Sequence, residues 1–297
     1  MSRRSSRREF AWTSLVSASA LLLPRPGRPA PAGRDRAAGE IHLGLVTYNV
    51  AKDWDLDTLL RNCREAGLTG VEFRTSHAHG VERTLSPAQR AEVRTKCAAA
   101  GMRQTSLGSV CEFHSPDPAL VRQNVEDCRE WVRLARDIGA RAVKVRPNGL
   151  PKEVAEEKTL DQIARALAEC GVFAGDHGVE IWVEAHGEGT RLPPRMRRIL
   201  EACGHPSVGI TWNSNDTDVV QGSVAASFAL LRPFLRCCHI TDLHSSYPYA
   251  ELFRLLADAG FTGYTLCEYP EPVPAARGSE WLRAYRTRWE ELRRGPA

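Results

Sequence analysis

Short runs of aliphatic and β-branched residues alternate along this chain with longer stretches in which apolar residues recur at the 3.6-residue spacing of an amphipathic helix. The alternation begins with the run IHLGLVT at 41–47 and continues to a predicted helix at 279–293. Several helical stretches are followed by glycine, a residue that favours helix C-termini, as at Gly67, Gly101 and Gly139. Strands and helices that alternate in this way predict βαβ units around a parallel sheet.

Eight strands and eight helices follow from this pattern. The predicted strands span 41–47, 69–74, 102–108, 141–146, 179–184, 207–213, 235–240 and 263–268. The predicted helices span 55–66, 87–100, 118–138, 154–176, 192–203, 222–232, 247–259 and 279–293. Eight such pairs in the segment 41–297 match the usual size of a (β/α)₈ barrel, about 250 residues, so the predicted fold class is α/β, a single TIM barrel. An open doubly wound sheet is the alternative, without a dinucleotide site because no G-x-G-x-x-G follows the first strand.

The amino-terminal segment 1–32 is predicted to be an export signal. Residues 6–10 (S-R-R-E-F) contain paired arginines, the apolar run 11–23 follows, and 24–31 is rich in proline. These are the three parts of a secretory signal, and the arginine pair resembles the twin-arginine type. We expect cleavage at the end of this segment, a flexible lead-in at 33–40 and a periplasmic or extracellular location. A basic disordered tail is the other interpretation.

Charge, hydropathy and cysteine spacing exclude several classes of function. Six arginines and one glutamate give the segment 1–32 a charge of +5, whereas the whole chain carries +4, which leaves about −1 for the barrel. A nearly neutral barrel lacks the basic surface of nucleic-acid-binding proteins, so a small neutral substrate is expected instead. No uncharged apolar run reaches the roughly 18 to 20 residues of a membrane span. The nine scattered cysteines have no C-x-x-C spacing, which indicates buried thiols rather than a zinc site or a disulfide framework.

Polar residues close four successive predicted strands, at the end of the barrel where TIM barrels place their active sites. Glu184, Asn213, His239 and Glu268 close strands five to eight. Two carboxylates, an imidazole and an amide oxygen suit one divalent cation, and we expect Mn²⁺, Mg²⁺ or Co²⁺ rather than Zn²⁺. Glu184 and Glu268 lie on opposing sides of the predicted barrel mouth. They could therefore remove a proton from one face of a carbon and return it to the other.

Five further residues near the strand ends are candidates for substrate binding, namely Arg74, Lys144, Arg146, His186 and Trp212. His186 and Arg74 are expected to position substrate hydroxyls, and a purely structural histidine is the alternative. Lys144 or Arg146 would stabilise an enediolate oxygen or a carboxylate, unless one of them forms an ion pair with Glu72. Trp212 would form an apolar wall for the C–H face of a sugar, or would simply pack in the core.

Six short motifs lie at the predicted strand ends. They are V-E-F-R-T-S-H-A-H-G (71–80), V-K-V-R-P-N (143–148), V-E-A-H-G (183–187), W-N-S-N-D (212–216), H-I-T-D (239–242) and L-C-E (266–268). Together they resemble the xylose isomerase-like TIM barrels, a family of sugar isomerases, epimerases and related enzymes, over about residues 41–295. The resemblance implies a TIM barrel in which Glu184, His239 and Glu268 hold a metal ion and the two glutamates also act as acid and base.

Asn213 departs from the family pattern, which usually has aspartate at this position. An amide in place of a carboxylate removes one negative charge from the metal ligands, which should lower the affinity for a divalent cation. Asp216, three residues further on, is a substitute ligand to consider. Asp242 and His244 could orient His239 from behind the metal site, and a solvated position in the loop is the alternative for His244.

The predicted function is a metal-dependent sugar isomerase or epimerase that acts on a small polyol or keto-sugar through an enediolate. Three alternatives stay open. They are a degenerate barrel that binds sugar without catalysis, an endonuclease IV-like phosphodiesterase with three zinc ions, and a lyase or dehydratase that begins with the same proton abstraction. The identity of the sugar, its phosphorylation state and the formation of a homo-oligomer also stay open.

Overall fold

The eight strands are parallel and close into a barrel in the computed structural model, which describes residues 40–294. Neighbouring strands follow the order of the chain, and the eighth pairs with the first. The strands are β1 Ile41–Val46, β2 Gly70–Arg74, β3 Gln104–Glu112, β4 Ala142–Arg146, β5 Glu180–Glu184, β6 Val208–Asn213, β7 Leu235–Ile240 and β8 Gly263–Cys267. The predicted (β/α)₈ barrel is therefore confirmed.

Nine α-helices lie in the described range, and eight of them correspond to the predicted helices. They are α1 Tyr48–Ala51, α2 Leu56–Ala66, α3 Pro87–Ala99, α4 Pro118–Ile138, α5 Glu156–Asp176, α6 Pro193–Cys203, α7 Ala225–Leu231, α8 Tyr249–Asp258 and α9 Gly278–Arg294. The four-residue α1 was not predicted. Helix α7 is shorter than the predicted 222–232, because Val220 and Ser223 first form a β-bridge and Pro233 lies in a separate 3₁₀ turn.

Side chains alternate between the inside and the outside of the barrel, because successive residues of a strand point to opposite faces. The residues that point outward, such as Phe73, Val143 and Ile181, pack against the helices in the main hydrophobic core. A second, smaller apolar cluster fills the inside of the barrel, with Trp182 and Leu266 among its members. At the carboxyl ends of most strands, the residues that point inward are polar or charged, whereas β1 ends in the apolar Val46.

Strand β3 differs from the prediction, which ended it at residue 108. The pairing of β3 with β4 shifts register between Gly108 and Glu112, and the strand resumes beyond the irregularity. The hydroxyl of Ser109 donates a hydrogen bond of 2.6 Å to the carbonyl of Lys144 across this irregularity. The extension places Glu112 beside Arg146, at the mouth of the barrel.

The predicted signal peptide at 1–32 and almost all of the lead-in lie outside the described residues, so both stay predictions. Within residues 40–294, no helix is long and apolar enough to cross a membrane. The nine cysteines all fall within this range, and each is a buried free thiol. Their burial agrees with the interpretation made from their spacing.

Candidate metal centre and active site

Five ionisable side chains converge inside the barrel at the carboxyl ends of its strands. They are Glu72 of β2, Lys144 of β4, Glu184 of β5, His239 of β7 and Glu268 directly after β8, and all five are buried. The backbone amide of Glu268 donates to the carbonyl of Ile240, so it continues the strand ladder by one residue. Because every one of these side chains points inward, the ends of five strands supply charged groups to one small space.

Glu184, His239 and Glu268 form a possible metal site. One ligand atom from each side chain lies within 4.8 Å of the other two. The Nδ1 atom of His239 is 3.3 Å from Oε2 of Glu268 and 3.9 Å from Oε1 of Glu184. Asn213 borders this group, since its side-chain amide donates to Oε1 of Glu184 at 3.3 Å. The structure therefore brings the four predicted ligands together.

The second ring nitrogen of His239 faces Glu72 rather than the metal site. Its Nε2 lies 3.4 Å from Oε2 of Glu72, an oxygen that also accepts a hydrogen bond from the hydroxyl of Ser106. A carboxylate in this place holds the Nε2 proton and leaves Nδ1 as the ligand atom. We expected Asp242 and His244 in this role, but Asp242 accepts a hydrogen bond from the backbone amide of His244 instead.

Lys144 forms an ion pair with Glu184, not with Glu72. Its Nζ is 2.6 Å from Oε2 of Glu184, and its side chain is 0% exposed. Burial alone would raise the pKa of Glu184, but the charges of Lys144 and His239 outweigh it and lower that pKa to about 2. Burial would likewise raise the pKa of Glu72, and the charge and hydrogen bond of His239 again hold it below its usual value. Both carboxyl groups are therefore ionised at neutral pH.

The residues of this site fit a divalent cation. Nδ1 of His239 is buried without a well-aligned hydrogen bond, which leaves a nitrogen ligand atom free between two carboxylates. Burial would lower the pKa of His239, but the charges of Glu268 and Glu72 raise it to about 10. With a neutral imidazole, three carboxylates and one ammonium give the buried group a charge of −2. One divalent ion would balance that charge, and Nδ1 would be a ligand in place of holding a proton.

A chain of polar side chains leads away from the metal site along the next strand ends. Glu112 accepts hydrogen bonds of 2.5 Å from both Arg146 and the side-chain amide of Asn148. The carbonyl oxygen of that amide lies 2.6 Å from Nδ1 of His186, two residues after Glu184. Burial, which acts more strongly than any neighbouring charge, lowers the pKa of His186. Arg146 is thus held by Glu112, and sequence reasoning had not identified Glu112 or Asn148.

Three other residues considered from the sequence, Trp212, Arg74 and Asp216, lie away from the metal ligands. Trp212 is 1% exposed and points outward, where it packs in the main core and donates to the hydroxyl of Tyr247. It therefore cannot form a wall for a substrate, because its neighbour Asn213 takes the inward position. Arg74 lies at the mouth, with its guanidinium 5.4 Å from the centre of the Tyr48 ring. Asp216 is exposed and pairs with Arg191, so it is not brought to the metal site.

Residues 60–285 match the family model described as "Xylose isomerase-like TIM barrel". A search of curated proteins found no match. Among solved structures, D-psicose 3-epimerase from Clostridium cellulolyticum H10, with D-tagatose, has a TM-score of 0.69 and 13% identity, over 86% of this chain and 93% of that one. The 3-keto-D-glucoside 4-epimerase from E. coli has a TM-score of 0.68 and 15% identity, over 82% and 100%. The IOLI protein with a bound zinc atom has a TM-score of 0.69 and 14% identity, over 85% and 98%.

Replacement of Glu72 by glutamine tests the orientation of His239. The introduced amide still accepts a hydrogen bond from Nε2 but carries no charge, so Nδ1 becomes a weaker ligand. We expect the affinity for Mn²⁺, measured by calorimetric titration, to fall about ten- to a hundredfold. Glu271→Gln, at an exposed glutamate three residues after Glu268, is the matched control and should bind as the unsubstituted protein does. Equal affinity in the Glu72 and Glu271 variants would contradict the role given to Glu72.

Proposed function

Because this chain belongs to the xylose isomerase-like TIM barrel family, we propose that it is a metal-dependent sugar isomerase or epimerase acting on a small polyol or keto-sugar. One observation carries the proposal. Two buried carboxylates, from β5 and from the end of β8, approach the same imidazole with ligand atoms within 4.8 Å of one another. That arrangement suits a site in which a substrate lies against a metal ion and meets carboxylates from two directions.

Glu184 and Glu268 carry the proton transfer in this proposal. One carboxylate removes the proton from the carbon next to a carbonyl, and the electron pair of the broken C–H bond forms an enediolate. A proton is then returned to the same carbon from the opposite face, which gives the epimer, or to the neighbouring carbon, which gives the isomer. A bound divalent cation would supply Lewis-acid polarisation of the carbonyl. Glu184, Asn213, His239 and Glu268 would hold that cation.

Lys144 keeps the carboxyl group of Glu184 ionised. Its ammonium is 2.6 Å from Oε2, so this oxygen is engaged and Oε1 is the one that faces His239 and Asn213. The ion pair keeps the carboxylate charged although it is buried. The same positive charge would also favour the negative charge that develops on a substrate oxygen. In this proposal, Arg74 and His186 contact substrate hydroxyls at the rim.

Solvent hydrogen exchange tests the role of the two glutamates. We expect the unsubstituted protein, loaded with Mn²⁺, to exchange a carbon-bound hydrogen of its substrate with deuterated water. Glu184→Gln and Glu268→Gln should each lose this exchange by at least about a hundredfold, because an amide does not accept the proton. A suitable panel contains D-psicose, D-tagatose and a 3-keto-D-glucoside, the compounds connected with the two similar epimerases. Glu271→Gln should exchange normally.

Two outcomes would count against the proposed chemistry. Exchange retained in both glutamine variants would remove the glutamates from the proton transfer. Exchange accompanied by loss of a substituent from the substrate would favour a lyase or dehydratase, which begins with the same proton abstraction. Product analysis by NMR in the same samples separates these reactions from epimerisation.

We also propose that the protein is exported by the twin-arginine route to the periplasm or beyond. The motif at residues 6–10 supports this location. Arg7→Lys combined with Arg8→Lys should leave the precursor in the cytoplasm on fractionation. The pair Arg3→Lys and Arg4→Lys, four residues earlier, is the matched control and should be exported. The same distribution for both variants would overturn the proposed route.

A further inference from the structure

Three neighbouring strand ends contribute to a hydrogen-bonded chain that stops at one unpartnered nitrogen. Glu112 ends β3, Arg146 ends β4, Asn148 follows two residues later, and His186 lies in the loop after β5. Glu112 accepts from both Arg146 and Asn148 at 2.5 Å, and Asn148 meets Nδ1 of His186 at 2.6 Å. Nε2 of His186 makes no hydrogen bond to any residue in the range 40–294.

The carboxylate of Glu112 determines which groups donate and which accept in this series of hydrogen bonds. A carboxylate that pairs with a guanidinium only accepts hydrogen bonds, so the end of the Asn148 amide that faces Glu112 is its NH₂ group. The other end is therefore the carbonyl oxygen, which also only accepts. Nδ1 of His186 must then carry the proton in this contact. In the neutral imidazole, Nε2 is left with a free lone pair.

The backbone of the two loops holds the side chain of Asn148 against the imidazole of His186. Asn148 has a φ of 65°, in the left-handed region that asparagine tolerates better than most residues. Gly187, with a φ of 90°, packs against it so closely that a Cβ atom would lie 2.5 Å from Cα of Asn148. Thr190 donates to the carbonyl of His186 at 2.7 Å and fixes the loop from the other side. The two loops therefore keep the amide and the imidazole in one arrangement.

We infer that Asn148 is a positioning residue that holds the proton of His186 on Nδ1, so that Nε2 accepts a hydrogen bond from a substrate hydroxyl. The substrate part of this inference rests on the proposed function, whereas the position of the proton does not. His186 follows Glu184 by two residues, and its imidazole contacts Asn148, which lies just after β4. The imidazole therefore lies at the same end of the barrel as the metal site. A substrate oxygen there would need to be a donor, which selects a hydroxyl group over a carbonyl or a phosphate oxygen.

Nitrogen NMR tests the position of the proton directly. The full chain is labelled with ¹⁵N-histidine, measured at about pH 8, where histidine is neutral, and the His186 signals are assigned with His186→Gln. We expect the Nδ1–H tautomer in the unsubstituted protein. Asn148→Gly removes the amide but suits the left-handed backbone, and it should shift His186 toward Nε2–H, the tautomer that histidine favours in water. Gln221→Gly, at another residue with positive φ, is the matched control and should leave the tautomer unchanged.

A paired substitution gives a rescue. Arg146 and Asn148 both donate to Oε1 of Glu112, so in Asn148→Asp combined with Glu112→Gln the NH₂ group of the glutamine takes the place of that oxygen and donates to the carboxylate at 148. That carboxylate still accepts from Nδ1, while Arg146 loses this acceptor. The double variant should keep the Nδ1–H tautomer and should retain kcat/KM within about threefold, whereas Asn148→Gly should lose about tenfold or more, the effect of one hydrogen bond to substrate. Asn148→Asp alone sets two carboxylates against each other and should lower kcat/KM, so recovery on adding Glu112→Gln is an outcome that a merely structural role would not produce.

The outcomes are distinguishable. An Nδ1–H tautomer retained in Asn148→Gly, or an Nε2–H tautomer in the unsubstituted protein, would overturn the inference. If Asn148→Gly shifted the tautomer but left kcat/KM unchanged, Nε2 of His186 would not accept a hydrogen bond from the substrate, and that part of the inference would be wrong. If no sugar is turned over at all, the proposed function fails, and the NMR result still decides whether Asn148 sets the proton on His186.

Discussion

Three carboxylates and one ammonium are buried together at one end of this barrel, and much of the site follows from that imbalance. Buried charges are costly unless they are paired, so the excess of negative charge requires a further cation. In the structure, His239 supplies part of the missing positive charge, since the surrounding carboxylates raise its pKa to about 10. A divalent ion would supply all of the missing positive charge, and the neutral imidazole could then act as a ligand. The ion pair between Lys144 and Glu184 limits the excess to what one such ion balances.

The two-residue period of the strands explains why these groups meet. Glu72, Lys144, Glu184, Asn213 and His239 all take the inward position on their strands, above the apolar cluster that fills the barrel. Glu72 then supports His239 from behind, while Glu184 and Glu268 flank its other nitrogen. The site thus consists of rigid strand ends for the charged groups and of loops for the groups that would contact a substrate. His186 and Asn148 belong to those loops, where substrate selectivity is usually determined.

The alternation of strands and helices along the chain predicted the barrel and the four residues that the structure brings together at its mouth. A second alternation, that of side chains within a strand, excludes Trp212 from the mouth, because Asn213 next to it points inward. We had not applied this rule to Trp212. Other features lay beyond a pattern in the sequence. Whether Lys144 reaches Glu72 or Glu184 depends on the stagger of the strands, and the contact of Asn148 with His186 depends on a left-handed residue in a loop. The extension of β3 to Glu112 follows a register shift, which the hydrophobic periodicity of the sequence does not predict.

The central claim is that this end of the barrel holds one divalent cation between Glu184, His239 and Glu268. Elemental analysis of the protein, purified without chelator and re-equilibrated in turn with Mn²⁺, Mg²⁺, Co²⁺ and Zn²⁺, tests it most directly. The account predicts about one ion per chain for at least one of these metals, and loss of that ion in His239→Ala. No bound ion under any condition would contradict the account, and three zinc ions per chain would point to phosphodiester cleavage instead.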